Sequence, residues 1–336
     1  MRDFSCFGDA AVTLAAGAAG GGGGGGGAGG ALDRWLQAAT ASDYRVALSS
    51  RKELRIKVTW TRGVAAGASG AAAAGAAGGP TGIALAIDDG SSLAPPPLAA
   101  AALIGTPSRT APATAPAPAQ HFLQKKRGTR SFVTDAGTAV SVYWDTSEAK
   151  YYPAGAAEPS RDYHLAVVAD GELALLLGGG GGEAARDVRR RFAPAPRRAL
   201  LSRREQAAQL VHTTRCRFRD DGAEHEVTVA CRGDEWGSRD GEVAVSVDGK
   251  KVVEARRVKW NFRGNRTAVL GDGAVVEVMW DVHDWWFAGV SGGGGAQFMV
   301  KARGAADGGR VWMDEEMANK GHPPAGFFLH LQCYRR

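Results

Sequence analysis

The chain has 336 residues and a mass of 34.9 kDa, with 41 basic and 35 acidic side chains, a net charge of +6 and a pI near 9.2. That length suits one large domain or two ordinary ones. The 44% hydrophobic content overstates the core, because much of it is alanine in Ala/Gly tracts that bury too little surface to offset the entropy of ordering them. No run of about 18 strongly apolar residues occurs, which excludes a membrane-spanning helix.

Residues 1–42 read as a low-complexity segment. Asp3 and Asp9 flank a weak Ala-rich stretch that runs into Gly20–Gly27, unlike a secretory leader, and Met1-Arg2 does not suit N-myristoylation. The polyglycine satisfies G-x-G-x-x-G trivially, with no strand before it and no Lys-Ser/Thr after it, so it carries no phosphate-binding signal. Cys6, Cys216, Cys231 and Cys333 form no C-x-x-C pair. If Asp221-Gly222 turns a hairpin, Cys216 faces position 227 and not Cys231. Reduced thiols and a cytoplasmic or nuclear location are expected.

Residues 43–178 read as a first β repeat with disordered insertions at 64–80 (Ala/Gly) and 93–119 (Ala/Pro). Leu54, Ile56, Val58 and Trp60 alternate with polar residues, as strands with one buried face do. Further strands are expected at 44–48, 82–87, 163–168 and 173–177. Residues 179–210 read as a Gly/Arg-rich linker with a short helix near Leu200 to Leu210. Residues 211–336 read as a second β repeat with strands at 215–219, 226–231, 242–247, 251–254, 297–302 and 327–334. Asp248-Gly249 there signals a type I′ hairpin.

The second region repeats the first. Shifted by 136 positions, Arg127 to Asp145 aligns without gaps with Arg263 to Asp281, and nine of nineteen residues are identical, including Arg, Gly, Val, Trp and Asp. Chance would give about one or two, and the period exceeds that of solenoid or propeller repeats. The expected fold is all-β: antiparallel β-sandwich or barrel units duplicated in tandem.

Trp144-Asp145 and Trp280-Asp281, with Glu148, His283 and Asp284 nearby, offer carboxylates of the kind glycosidases use. Alternation argues for structure instead: Trp144 shares a face with Val140 and Val142, Trp280 with Val276 and Val278, and each Asp ends its strand where it would accept turn N–H bonds. His283 has no counterpart, since position 147 is Ser147. Asp281-Val-His283-Asp284 has no third or fourth nearby ligand, so no metal, cofactor or catalytic set is assigned. Asp281, His283, Asp284, Trp285 and Trp286, with Tyr151 and Tyr152 in the matching stretch, are candidate contacts for a protein or carbohydrate ligand, or a seal between the halves. Residues 186–204 hold eight arginines against Asp187, a net +7 that leaves the rest of the chain near neutral. Arg189, Arg190, Arg191, Arg197 and Arg198 are therefore a candidate surface for an anionic partner. Arg263 and Arg266, like Arg127 and Arg130, are expected to fix turns by bonding carbonyls.

Met1-Arg2-Asp3-Phe4, Ser5 to Gly8, Val58-Thr59-Trp60, Ile87-Asp88-Asp89, Trp144-Asp145, Val247-Asp248-Gly249, Trp260 to Asn265 and Val276 to Trp285 together resemble the plant domain-of-unknown-function family 868. The resemblance implies a plant source and no activity, cofactor or catalytic residue. A non-enzymatic binding or scaffolding protein is the reading that follows. Alternatives are a carbohydrate-binding or carbohydrate-active sandwich using the loops after Trp144 and Trp280, and a nucleic-acid-associated protein working through the arginine segment.

Overall fold

The computed structural model describes residues 35–65, 81–90, 119–152, 156–178, 182–207, 209, 211–219, 222–233, 241–287, 295–303 and 327–334. Residues 1–34 and most of the Ala/Gly and Ala/Pro insertions lie outside them; residues 35–42, read above as the end of the low-complexity segment, are strand.

The first eight strands are β1 (Trp35–Ala47), β2 (Glu53–Ala65), β3 (Thr81–Asp88), β4 (Gln120–Leu123), β5 (Arg127–Val133), β6 (Ala139–Asp145), β7 (His164–Ala169) and β8 (Glu172–Gly178). They run as two antiparallel four-strand meanders, β1 to β4 and β5 to β8. The inward residues of the two meanders share one core, in which Leu54, Ile56, Val58 and Trp60 of β2 meet Val140, Val142 and Trp144 of β6. Helix α1 (Glu183–Arg191) follows and lays Val188 on the outer face of the second meander, against Ala166, Val168 and Leu173.

Eight later strands take the same order. They are β10 (Val211–Cys216), β11 (His225–Arg232), β12 (Glu242–Val247), β13 (Lys250–Arg256), β14 (Arg263–Val269), β15 (Val275–Asp281), β16 (Gly295–Ala302) and β17 (Phe328–Tyr334), with the short helix α2 (His283–Phe287) after β15. β10 to β13 and β14 to β17 are again antiparallel meanders around one core. Residues 136 apart occupy equal places: Gly128 opposes Trp144 as Gly264 opposes Trp280, and Gly137 and Gly273 turn their hairpins at φ +86° and +80°. Asp248 and Gly249 both take positive φ, as the type I′ signal requires.

One strand joins the two sandwiches. β9 (Arg197–Ala207) pairs antiparallel with β1 and parallel with β17, so the meanders β1–β4 and β14–β17 merge into a nine-stranded sheet. The helix expected near Leu200 to Leu210 is therefore this strand. Its period of two is hard to see in sequence because two of its inward positions, beside Leu329 and Leu331 of β17, hold Arg203 and Glu205. Cys216 opposes His225 and not position 227, because the register of β10 and β11 is centred one residue before the point that a turn at Asp221-Gly222 would set.

Candidate functional site

Asp281 is 9% exposed and already engaged: Oδ2 accepts from Arg263 Nε at 2.8 Å, and Oδ1 accepts the His283 backbone N–H at 3.0 Å. Asp145 does the same for the Ser147 N–H at 2.8 Å. Burial pushes the Asp145 carboxyl up, but the bonds from Ser147, with His164 and Arg127 nearby, outweigh it and hold the pKa below the ordinary value. These carboxylates serve turns. His283 pairs with its neighbour Asp284 at 2.9 Å on the surface.

Trp285 is 1% exposed in the core of the second sandwich, and Trp286 packs over Gly241 at the start of β12. They close the end of their own sandwich, so the seal expected between the halves is a seal within one. Tyr151 lies under the Arg62 guanidinium, 4.0 Å from its ring centroid, in the first sandwich, and Tyr152 is 72% exposed. The structure does not gather the two aromatic sets into one site.

Arg189, Arg190 and Arg191 occupy the last turn of α1, where cations suit the helix dipole, and Arg197 and Arg198 open β9. All five are exposed. Arg203 is not: it forms ion pairs with Glu158 and Glu205. Glu205 also bonds His212 Nε2 at 2.5 Å and Thr214 Oγ1 at 2.6 Å. Burial raises the Glu205 pKa, yet Arg203, His212 and Thr214 together bring it down to about 2. Sequence reasoning missed this cluster, whose partners come from three separated segments.

The second sandwich has a cleft of about 590 Å³ between β13 and β14, lined by Val253 to Arg257, Asn261, Arg266 and Trp280. β13 ends the sheet of β10 to β13 and β14 ends the nine-stranded sheet, so the cleft lies where two sheet edges face each other. The Trp280 Nε1–H donates to the Asn261 carbonyl at 3.1 Å, and Asn261 Nδ2 donates to the Arg256 carbonyl at 2.7 Å. Both bonds fix the connection that carries the cleft's polar groups. Arg256 is paired with Glu254 at 2.8 Å, whereas Arg257 and Arg266 have no ion-pair partner among the described residues. Arg257 holds φ +55°, a conformation that costs a non-glycine residue about 1 kcal/mol or more. Trp260, 77% exposed, stands on the same connection.

The equivalent place in the first sandwich is filled. There His121 stacks on Phe132 at 3.6 Å between centroids, Leu123 is 4% exposed, and Arg130 donates to the Phe122 carbonyl at 3.2 Å. Strand register sets His121, Leu123 and Phe132 against Val253, Ala255 and Ala268 of the second sandwich. Three larger side chains are replaced by three smaller ones, two of which, Val253 and Ala255, line the cleft. Trp144, 7% exposed, becomes the half-buried Trp280. Arg130 bonds a carbonyl as expected, Arg263 bonds a carboxylate, and Arg266 lines the cleft.

No curated protein and no solved structure matches the chain. A family model described as plant protein of unknown function (DUF868) matches residues 36–334, nearly all of the strands set out above. The chain belongs to that family.

Proposed function

We propose that the protein is a non-enzymatic binding module made from two tandem copies of one sandwich, and that its second copy holds an anionic ligand in the cleft between β13 and β14. The carrying observation is the contrast between equivalent places. His121 and Leu123, with Phe132 stacked on His121, plug one, while their counterparts Val253 and Ala255 line an open cleft over Trp280 in the other; beside it stand the guanidiniums of Arg257 and Arg266, without an ion-pair partner among the described residues. Common ancestry of the copies is supported by their equal strand order and by the Trp–Gly pairs at matching positions. A cleft of this volume suits a small molecule or a short segment. Guanidinium forks favour carboxylate and phosphate, and the indole favours an apolar or planar group next to the charge. A site inside the cell fits the free thiols of Cys216, Cys231 and Cys333.

The test is NMR titration of the isotope-labelled chain with pyrophosphate, citrate and adenosine monophosphate as separate probes. The expected result is saturable movement of the Trp280 indole and Arg266 guanidinium signals by at least one probe, lost in Arg266→Gln and in Ala268→Phe. No saturable movement, or movement confined to Arg189–Arg191, overturns the assignment; the latter result transfers anion binding to the α1 surface.

A further inference from the structure

Resting on the cleft reading above, we infer that the ligand is an extended acidic peptide segment that adds to the free edge of β13, with a carboxylate or phosphate group against Arg257 and Arg266 and an apolar side chain on Trp280. The first ground is which residues line the cleft. Val253, Glu254, Ala255, Arg256 and Arg257 all do so, in unbroken succession. Side chains of a strand point alternately to opposite faces, so a continuous run can line a space only along the strand's edge. β13 is terminal in its sheet, and every second N–H and C=O along that edge lacks a strand partner among the described residues. Apart from the Arg256 carbonyl, which Asn261 Nδ2 already occupies, a ligand in the cleft thus meets main-chain donors and acceptors at the spacing that an added strand uses.

The second ground is charge. Glu254, the one acidic residue of the lining, is already held by Arg256 at 2.8 Å and Lys251 at 3.4 Å, so the cations of the lining left without an ion-pair partner among the described residues are Arg257 and Arg266. A basic or neutral strand gains nothing from them, and an acidic one gains two charge-assisted contacts. The third ground is the floor. Trp280 is held by its bond to Asn261 and by packing over Gly264, so its ring is a fixed surface and a ligand side chain laid on it loses little further entropy. Among the described residues the equivalent place in the first sandwich is closed. Its corresponding strand β4 has four residues, and His121 stacks against Phe132 where the peptide would lie.

The experiment selects binders to the full folded chain from a display library of random ten-residue peptides, with Ala268→Phe and Arg266→Gln as counter-targets. Expected are enriched peptides that share an acidic position flanked by alternating apolar residues. Their affinity should fall about tenfold or more in Arg266→Gln, and by a similar factor when alternate backbone nitrogens of the peptide are methylated. Ala268→Phe should abolish binding, and its unfolding midpoint shows whether it has folded; Arg266→Gln alters a side chain at the cleft mouth and keeps the comparison valid if it has not. Peptides that bind equally well after methylation overturn strand addition. No enrichment over the counter-targets overturns the peptide altogether. If pyrophosphate or adenosine monophosphate still binds in an Arg266-dependent way, the anion-binding reading survives that failure; if neither binds, both fall.

Discussion

Trp280 lies with its six-membered ring over Gly264, its cross-strand partner, so closely that a methyl group on Gly264 would overlap the ring. Trp144 and Gly128 repeat the pairing, and a methyl carbon on Gly128 would stand only 2.8 Å from the indole. The indole N–H in each case donates to the carbonyl three residues before the glycine, Lys125 at 2.8 Å and Asn261 at 3.1 Å. Glycine in a strand interior normally costs about 0.5–1 kcal/mol against alanine. Here overlap costs about 1–3 kcal/mol and outweighs that gain. Gly264→Ala and Gly128→Ala should therefore each lower stability in urea titrations, and Gly264→Ala should also disturb the cleft. A stabilising effect of either would show that the ring can move aside.

Glu205 sits 5% exposed at the join between the sandwiches, bonded to Arg203, His212 and Thr214. Removing one partner from a buried charged set costs about 3–5 kcal/mol, a large part of a domain's stability. Glu205→Gln should bring that loss, read as a lower unfolding midpoint. Its carboxyl is depressed from 4.5 when free to about 2 when folded, so its contribution is complete above the free value and disappears as pH falls towards the folded one. The acid limb of the stability profile should therefore be shallower in Glu205→Gln than in the natural chain.

His225 ties two turns together, with Nδ1 2.7 Å from Asp248 and Nε2 3.1 Å from Asp272. Burial lowers its pKa, but the hydrogen bond to Asp248 and the charge of the nearby Asp272 carboxylate outweigh this and raise it above 6.5. A raised histidine stabilises fully below its free value and loses that contribution as pH rises through the folded one. The stability difference between the natural chain and His225→Gln should be larger below about pH 6 than above about pH 8. Equal differences at both ends would mean that the imidazole is not charged in the fold.

Cys216, Cys231 and Cys333 are each 5% exposed or less. Burial pushes all three thiols up, Cys333 to about 12. The thiolate is the reactive form, so alkylation near neutral pH should leave these three unmodified in the folded chain and label them only after denaturation. Mass mapping of labelled peptides reads this directly.

Ala268→Phe restores in the second sandwich the residue that the first uses at the same place, Phe132. Ala268 lies two residues from the cleft-lining Arg266 on the same face of β14, so the ring should reach the cleft and close it, with a stability change of about 1.5 kcal/mol or less. Loss of anion binding with the unfolding midpoint retained is the expected pair of results.

The sequence by itself determined the strands with alternating apolar residues, the Asp248-Gly249 turn and the matching places of Trp144 and Trp280, because side-chain direction and turn conformation are local properties. It also placed Asp281 at a strand end, where the structure shows it accepting a turn N–H. Tertiary structure alone decided that β9 is a strand joining both sandwiches. Its inward Arg203 and Glu205 are tolerable only because Glu158, 45 residues before Arg203, and His212 of the next strand come to meet them. It decided the cleft as well. Val253, Ala255, Arg266 and Trp280 are ordinary strand residues when read one at a time, and the cleft appears only where these residues of two sheets face each other, since packing is a property of the assembled pair.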